Sequence, residues 1–319
     1  MSISHYIREI GRGKQGARHL SREQAAELMG QVLDGKVTDL QLGAFCIAMR
    51  VKGETAQEMA GFLDATSTRL NTLPTSDGRP TVVLPSYNGS RRLPVLTPLL
   101  ALLLAQQGLR VLVHGGNTED SRVSTADVMQ ALDLPHLNHV RPLQANEIAY
   151  VPTAVLCPGL WQLLQVRRKI GLRNSGHSMV KLMNPVAGPA LLVASYTHPE
   201  YEASMLHTLQ LTKAHAMLLR GTEGEPVADP RRMRKSILLL DGKVHNIHDP
   251  QDLSSAENHA FPIGLDAAAT AQYIRSLIDA PEDIPAPIQH QVSMLSQLAA
   301  AIREALHSHD FTHPPVFHS

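Results

Sequence analysis

Polar and apolar positions follow two different periods along the chain, and the change falls near residue 74. Before it, apolar residues recur every three to four positions, the spacing of helices with one buried face. "SREQAAELMGQVLDG" opens on Ser21 as an N-cap, carries Gln24 at the capping-box spacing and stops at Gly35. "TDLQLGAFCIAMRVKG" repeats the pattern, with Leu40, Ala44, Ile47 and Ala48 on one face and Gly53 as its stop. "TAQEMAGFLDATSTRL" gives a further helix, and "PTSDGRP" reads as a linker.

Beyond the linker, short β-rich runs alternate with helical segments. The candidate strands are "TVVLP", "RVLVHG", "IAYVPTAVL", "ALLVASY", "HAMLLRG" and "SILLLDG". Helices are predicted from Thr97 to Gln107, with Thr97 as N-cap and Pro98 as first helical residue, and from Pro199 to Leu211. This alternation predicts an α/β fold with a mostly parallel central sheet covered on its faces. The expected organisation is a small all-helical N-terminal domain, residues 1–73, joined by helices near 159–184, and a larger α/β domain, residues 74–319. In such sheets the ligand end is the carboxyl edge of the strands.

Composition adds little against this picture: 43% hydrophobic and 18% charged over 319 residues is an ordinary globular balance. The N-terminus lacks an apolar core of signal-peptide length and no run reaches bilayer length, so a cytoplasmic location without a membrane partner is expected. Cys46 and Cys157 form no CxxC pair, the histidines form no HExxH pair, and neither a Walker loop nor a Gly-x-Ser-x-Gly turn occurs.

Charge changes the picture more. The net charge is zero, yet no acidic residue lies between Glu147 and Glu200, where Arg167, Arg168, Lys169, Arg173 and Lys181 fall. The N-terminal segment carries Arg8, Arg12, Lys14, Arg18 and Arg22 against Glu9 alone. A neutral chain segregated in this way can present one strongly positive face.

Three segments could carry chemistry. In "TVVLPSYNGSRRLPVLTPLL" the loop after the strand sits where a phosphate is usually bound, but only Gly89 offers close backbone approach. Arg91 and Arg92 are long forks suited to phosphodiester oxygens, or simply a solvated turn. In "CPGLWQLLQVRRKIGLRNSGHSMVKLMNP" Arg167 falls inside the apolar face of Leu160, Leu163, Leu164 and Ile170, so it needs a partner or a groove. The next helix places Asn174, His177 and Lys181 on one face with Arg173 at its start, a stripe that fits either a solvated surface or a site. In "RGTEGEPVADPRRMRK" the paired Glu223 and Glu225 fit a solvated turn better than a metal site, and "PRRMRK" adds positive charge.

The order of these segments, with "VHGGNTEDSRVSTADVMQALDL" and "HPEYEASMLHTLQLTKAHAMLLRGTEGE", resembles the anthranilate phosphoribosyltransferase fold, shared with pyrimidine nucleoside phosphorylases. His114 and Gly115 match that family's His-Gly element, Ser124, Ala126 and Asp127 its Ser-Ala-Asp stretch, and Gly171, Arg173, Asn184 and Pro185 its later Gly-Arg and Asn-Pro elements. The departures fall on catalytic parts. "SYNGSRR" replaces the glycine-rich loop that holds phosphoribosyl pyrophosphate, Val113 replaces a lysine, and Pro226 and Val227 replace the metal-binding Asp-Glu pair.

A narrower resemblance is to the TrpD-like proteins typified by YbiB, carried by "EIGRGK", "PSYNG" with Arg91, "LTPLLA", "RNS" with His177 and Lys181, and the turn Gly221 to Glu225. It implies a homodimer joined through the helical domain, with a basic groove that binds DNA or RNA largely without sequence preference, and no catalytic residue, cofactor or metal. The expected contacts are Arg12, Lys14, Arg18, Arg91, Arg92, Arg167, Arg168, Lys169, Arg173, Asn174, His177 and Lys181. The alternative is a phosphoribosyltransferase or nucleoside phosphorylase-like enzyme with an altered substrate. Aromatic content is 4%, with Tyr87 and Trp161 the aromatics near these clusters, so base stacking is expected to be minor.

Overall fold

Capping boxes start the main N-terminal helices. The computed structural model describes residues 2–75, 77–249, 261–262 and 264–310, and opens with α1 (Ser4–Ile10), α2 (Gly13–Gly16), α3 (Arg22–Leu33), α4 (Asp39–Lys52) and α5 (Ala56–Ser67). Ser21 with Gln24, Thr38 with Gln41 and Thr55 with Glu58 exchange side-chain and backbone hydrogen bonds at the starts of α3, α4 and α5. The helices close around Phe45 and Phe62, which meet edge to face at 6.1 Å.

The rest of the chain runs β1 (Leu73–Pro74), β2 (Thr81–Ser86), α6 (Thr97–Gln106), β3 (Arg110–Gly115), α7 (Thr125–Ala131), β4 (Ile148–Pro152), α8 (Thr153–Leu156), α9 (Pro158–Ile170), α10 (Gly176–Met179), β5 (Val186–Ala187), β6 (Ala190–Tyr196), α11 (Glu200–Leu211), β7 (Ala216–Arg220), β8 (Ser236–Leu240), β9 (Lys243–His248), α12 (Ala267–Asp279) and α13 (Ala286–Asp310). The main sheet has the order β4-β3-β2-β6-β7-β8-β9, and β1 pairs separately with β5. From β4 through β7 every pairing is parallel, while β8 and β9 add on antiparallel.

Strands β2, β3 and β6 are buried along their whole length, which is why they read as continuous apolar runs. Alternate residues serve two cores. Val83, Leu112 and Leu192 face the side that continues into the N-terminal helices, whereas Val82, Leu84, Val111 and Leu191 face α6, α12 and α13. Helix α9 packs back on α3, and at Gly159 an added Cβ would run into the Leu33 carbonyl.

The structure departs from the sequence expectations in three places. The run "IAYVPTAVL" stays extended only to Pro152, and Thr153–Leu156 turn into α8. The exposed, polar "KVHNIH" forms the edge strand β9, which needs no apolar pattern because it buries little. On α4 the buried face is Phe45, Cys46 and Met49, whereas Leu40 (83% exposed), Ile47 (42%) and Val51 (60%) form a second apolar stripe that looks into solvent. Among the described residues no helix is long and apolar enough to cross a membrane.

Gly159→Ala is expected to lower stability by about 1–3 kcal/mol, since the α3 backbone leaves no room for a methyl group. Urea unfolding should show this as a lower midpoint with an unchanged slope.

Candidate functional site at the carboxyl edge of the sheet

Strand β2 ends at Ser86, and its loop turns at Gly89, where φ is +60° and a Cβ would collide with the Val123 carbonyl. Helix α6 follows. Thr97 is its first residue rather than its cap, since Leu96 holds the N-cap position. The freed Thr97 hydroxyl lies 3.3 Å from Glu225 Oε2.

That carboxylate belongs to the turn after β7, which reaches across to the β2 loop. Glu225 is 1% exposed. Its Oε1 accepts from the backbone N–H of Asn88 (2.7 Å) and Gly89 (2.9 Å), and its Oε2 faces the hydroxyls of Ser86 and Thr125 (3.1 Å). Glu223 fills the other half of the loop. Its Oε1 accepts from the N–H of Arg92 (2.8 Å) and Leu93 (3.1 Å) and lies 2.5 Å from Ser90 Oγ, while its Oε2 accepts from Arg91 N–H (3.1 Å). Burial raises the Glu223 carboxyl, but the Ser90 hydroxyl and these N–H groups outweigh it and hold the pKa below the usual value. Neither glutamate is the solvated turn residue the sequence suggests. The loop has also kept its backbone N–H nest, which the protein's own carboxylates occupy.

Buried side chains hold the turn from beneath. Lys181 Nζ donates to the Gly224 carbonyl at 2.8 Å and to the Ser195 carbonyl at 3.3 Å, and Asn88 Nδ2 donates to the Glu223 carbonyl at 2.8 Å. Burial pushes the Lys181 ammonium down to about 8, against the attraction of Glu225. Asn174 is buried as well, donating to the Leu163 carbonyl at 2.7 Å. His177 is pushed to about 3, first by burial and then by Arg173 and Arg167. The stripe of Asn174, His177 and Lys181 is therefore an interior brace, because only Gly176–Met179 are helical there and the side chains turn inward. His114 is also buried to a pKa of about 3, with the Tyr87 hydroxyl 2.8 Å from its Nδ1. Tyr87 is thus enclosed, and Trp161 rests against Gly116.

Arginines crowd the mouth of this site. Glu119 receives Arg167 at 3.0 Å, Arg122 at 3.1 Å and Arg173 at 3.9 Å. Arg167, which needed a partner on its apolar face, finds it in Glu119, yet its Nη1 is buried and unpartnered. Arg168 pairs with Asp120 at 2.6 Å. Asp229 likewise meets Arg231 (2.9 Å), Arg232 (3.3 Å) and Arg234 (3.3 Å). Burial, followed by Arg167 and Arg122, pushes the Arg173 pKa below the usual value. Arg91 and Arg92 give their N–H groups to Glu223 and leave their side chains exposed, and Lys169 is exposed on α9. Arg50 of α4 donates to the Arg173 carbonyl at 3.3 Å.

The structure thus brings Arg167 and Arg173 together on Glu119, beside Arg168 on Asp120, and sets the backbone of Arg91 and Arg92 against Glu223. Arg12 and Arg18 share Glu9 on the N-terminal helices instead, and the Lys14 side chain lies outside the described residues. Sequence reasoning missed Arg122 and Glu119 because they stand in the mixed-charge run "TEDSR".

Residues 4–67 match the family model described as glycosyl transferase family, helical bundle domain. The chain superposes on anthranilate phosphoribosyltransferase from Thermus thermophilus with a TM-score of 0.65, covering 94% of each chain at 20% identity. An anthranilate phosphoribosyltransferase of Moorella thermoacetica is 30% identical over 65% of this chain and 62% of that enzyme. A helical bundle joined to a mostly parallel sheet in this arrangement is an anthranilate phosphoribosyltransferase-like fold. Within that class the Escherichia coli K12 protein YbiB is 36% identical over 299 residues, 92% of this chain and 93% of its own length, and the chain belongs to the YbiB family.

The two buried histidines predict a pH response. Unfolded, each takes a proton near 6.5, whereas folded each holds off protonation to about 3. The unfolded chain therefore binds more protons in this window, and stability falls as pH drops below 6.5. Between pH 6.5 and 5 the loss should be about 2 kcal/mol per histidine. Denaturant titrations should show that slope roughly halved in His177→Gln.

Proposed function

We propose that this protein binds nucleic acid through the arginine-lined mouth of the cleft, as a homodimer and largely without regard to sequence. The observation that carries the reading is carboxylate sharing: Glu119 faces three guanidiniums and Asp229 three more. Arg122 also approaches Glu223 at 3.7 Å, so the two clusters hold six guanidiniums against three carboxylates, and the exposed Arg91, Arg92 and Lys169 add to that surplus. Phosphodiester oxygens suit such forked donors, and a repeating polyanion can engage several at once.

The comparisons favour a second reading, phosphoribosyl transfer, through the fold and the named relatives. Against it stands the filled cradle. With Glu223 and Glu225 on the loop N–H groups, a pyrophosphate would have to displace two carboxylates already bound there. The dimer is supported by the second apolar stripe of α4, where Ala44, Ile47, Ala48 and Val51 join Ile7 and Ile10 around a shallow apolar hollow.

Fluorescence anisotropy with labelled oligonucleotides should show log affinity falling linearly with log salt, at roughly 0.7 to 0.9 per phosphate contacted. Arg92→Ala or Arg168→Ala should weaken binding to every sequence alike and shallow the slope by about one unit. Arg275→Ala should change little, since that side chain lies on α12 and donates at 2.9 Å to the carbonyl of Ala131, at the opposite end of α7 from Thr125, which faces Glu225. Salt-insensitive binding, or turnover of phosphoribosyl pyrophosphate with anthranilate and magnesium, would favour the second reading.

The dimer is tested separately. Sedimentation should give a dimer for the wild type and a monomer for Ile47→Asp, which places a charge in the exposed stripe. A monomeric wild type at micromolar concentration would remove this part of the proposal.

A further inference from the structure

We propose that a cleft at the amino edge of the sheet is a second binding site, one that takes a small organic polycarboxylate. It lies at the opposite end of β2 and β3 from Ser86 and Gly115, where Thr81 pairs with Arg110. The linker before β2, the turn between α6 and β3 and the second half of α13 enclose about 220 Å³ there. Of the residues that line it, Arg79, Arg110 and Arg303 are cationic and Asp77 alone is acidic.

Arg110 anchors the site. Its side chain is 4% exposed, and Nη2 donates to Asp77 Oδ1 at 2.5 Å and to the Arg79 carbonyl at 2.6 Å. A guanidinium carries five donors in a planar fork. Among the described residues Nε and Nη1 have no acceptor, so that side of the fork is left to the cleft. Asp77 Oδ2 also stands 3.6 Å from Arg79 Nε. One carboxylate thus answers two guanidiniums, and Arg303 adds a third positive charge from α13. An ion pair that merely fastened the linker to β3 would need Arg110 and Asp77 and nothing more.

The rest of the wall selects the kind of anion. Pro80, Leu109, Ala299 and Ala300 present carbon, which offers nothing to an inorganic ion and packs against the skeleton of an organic one. Ser296 stands in the same wall, its hydroxyl buried and without a partner among the described residues. Guanidinium forks meet carboxylates through paired hydrogen bonds. The cleft is small beside sites for drug-sized ligands, so it suits an anion of about a dozen non-hydrogen atoms. It shares no residue with the arginine mouth at the other edge, so it stands or falls apart from nucleic-acid binding.

Citrate is the probe. Calorimetric titration at constant ionic strength should give saturable binding to the wild type, with Tm raised by roughly 2 °C or more near ten times Kd. Arg79→Ala and Arg303→Ala remove exposed guanidiniums and should each weaken citrate by about fivefold or more. Ala300→Phe keeps every charge but fills the cleft, and should weaken citrate as much. Arg8→Ala takes an exposed arginine from α1 of the helical bundle and should leave citrate binding unchanged. Inorganic phosphate and sulfate should bind the wild type about tenfold more weakly than citrate.

A wild type that ignores citrate would overturn the proposal. So would binding left intact by Arg79→Ala, Arg303→Ala and Ala300→Phe, which would put the anion elsewhere on the protein. Phosphate or sulfate as tight as citrate would overturn the assignment to an organic anion, and weakening by Arg8→Ala equal to that by Arg303→Ala would reduce the effect to overall charge. Should Ala300→Phe fail to fold, the two arginine variants, whose side chains are exposed, decide the outcome.

Discussion

A carboxylate cut off from water must be met by donors on every side, and Glu225 imposes that demand at the centre of this protein. Its donors come from the end of β2, the loop beyond it, the first residue of α6 and the first residue of α7. None of those segments can shift far without leaving the charge unpaired, which for a buried ion costs about 3–5 kcal/mol. The positions of the β2 loop, the start of α6 and the turn after β7 all follow from one side chain. Lys181 adds the matching charge from the opposite side, with its hydrogen bonds going to the turn's own carbonyl.

The same dependence explains which parts of the fold could be read from the sequence. Strands such as Thr81–Ser86 and Ala190–Tyr196 were legible because burial on both faces demands unbroken apolar runs, and α3 was legible because Ser21 and Gln24 cap locally. The edge strand Lys243–His248 was not, since an exposed strand is held by backbone pairing that any residue type can provide. Helix α4 carries two apolar stripes, and spacing alone cannot tell which one the larger Phe45 and Met49 draw inward.

The site was legible as charge and illegible as geometry. Arg91, Arg92, Arg167, Arg168 and Arg173 were visible as a basic set, but not that Arg167 and Arg173 meet on Glu119 and Arg168 on Asp120. The partners of Glu223 and Glu225 are mostly backbone N–H groups more than 120 residues away in sequence, and such donors leave no trace in residue identity. Lys181 illustrates the converse error: a cation on a polar stripe reads as surface, yet its three donors are suited to stitching buried carbonyls together. The neutral net charge hid the basic mouth, because acids such as Asp266, which caps α12, balance the total from elsewhere in the fold.

Trp161 is the chain's only tryptophan, and it lies against Gly116, at the start of the segment that leads to Glu119 and Asp120. Six residues further along the same helix is Arg167, bound to Glu119. The cleft therefore carries its own chromophore, half-buried and a few residues from the ion pairs that line it. Any ligand that draws those arginines away from their carboxylates would alter the indole's surroundings, so the tryptophan emission of the unlabelled protein, excited where its six tyrosines do not absorb, reports on this site.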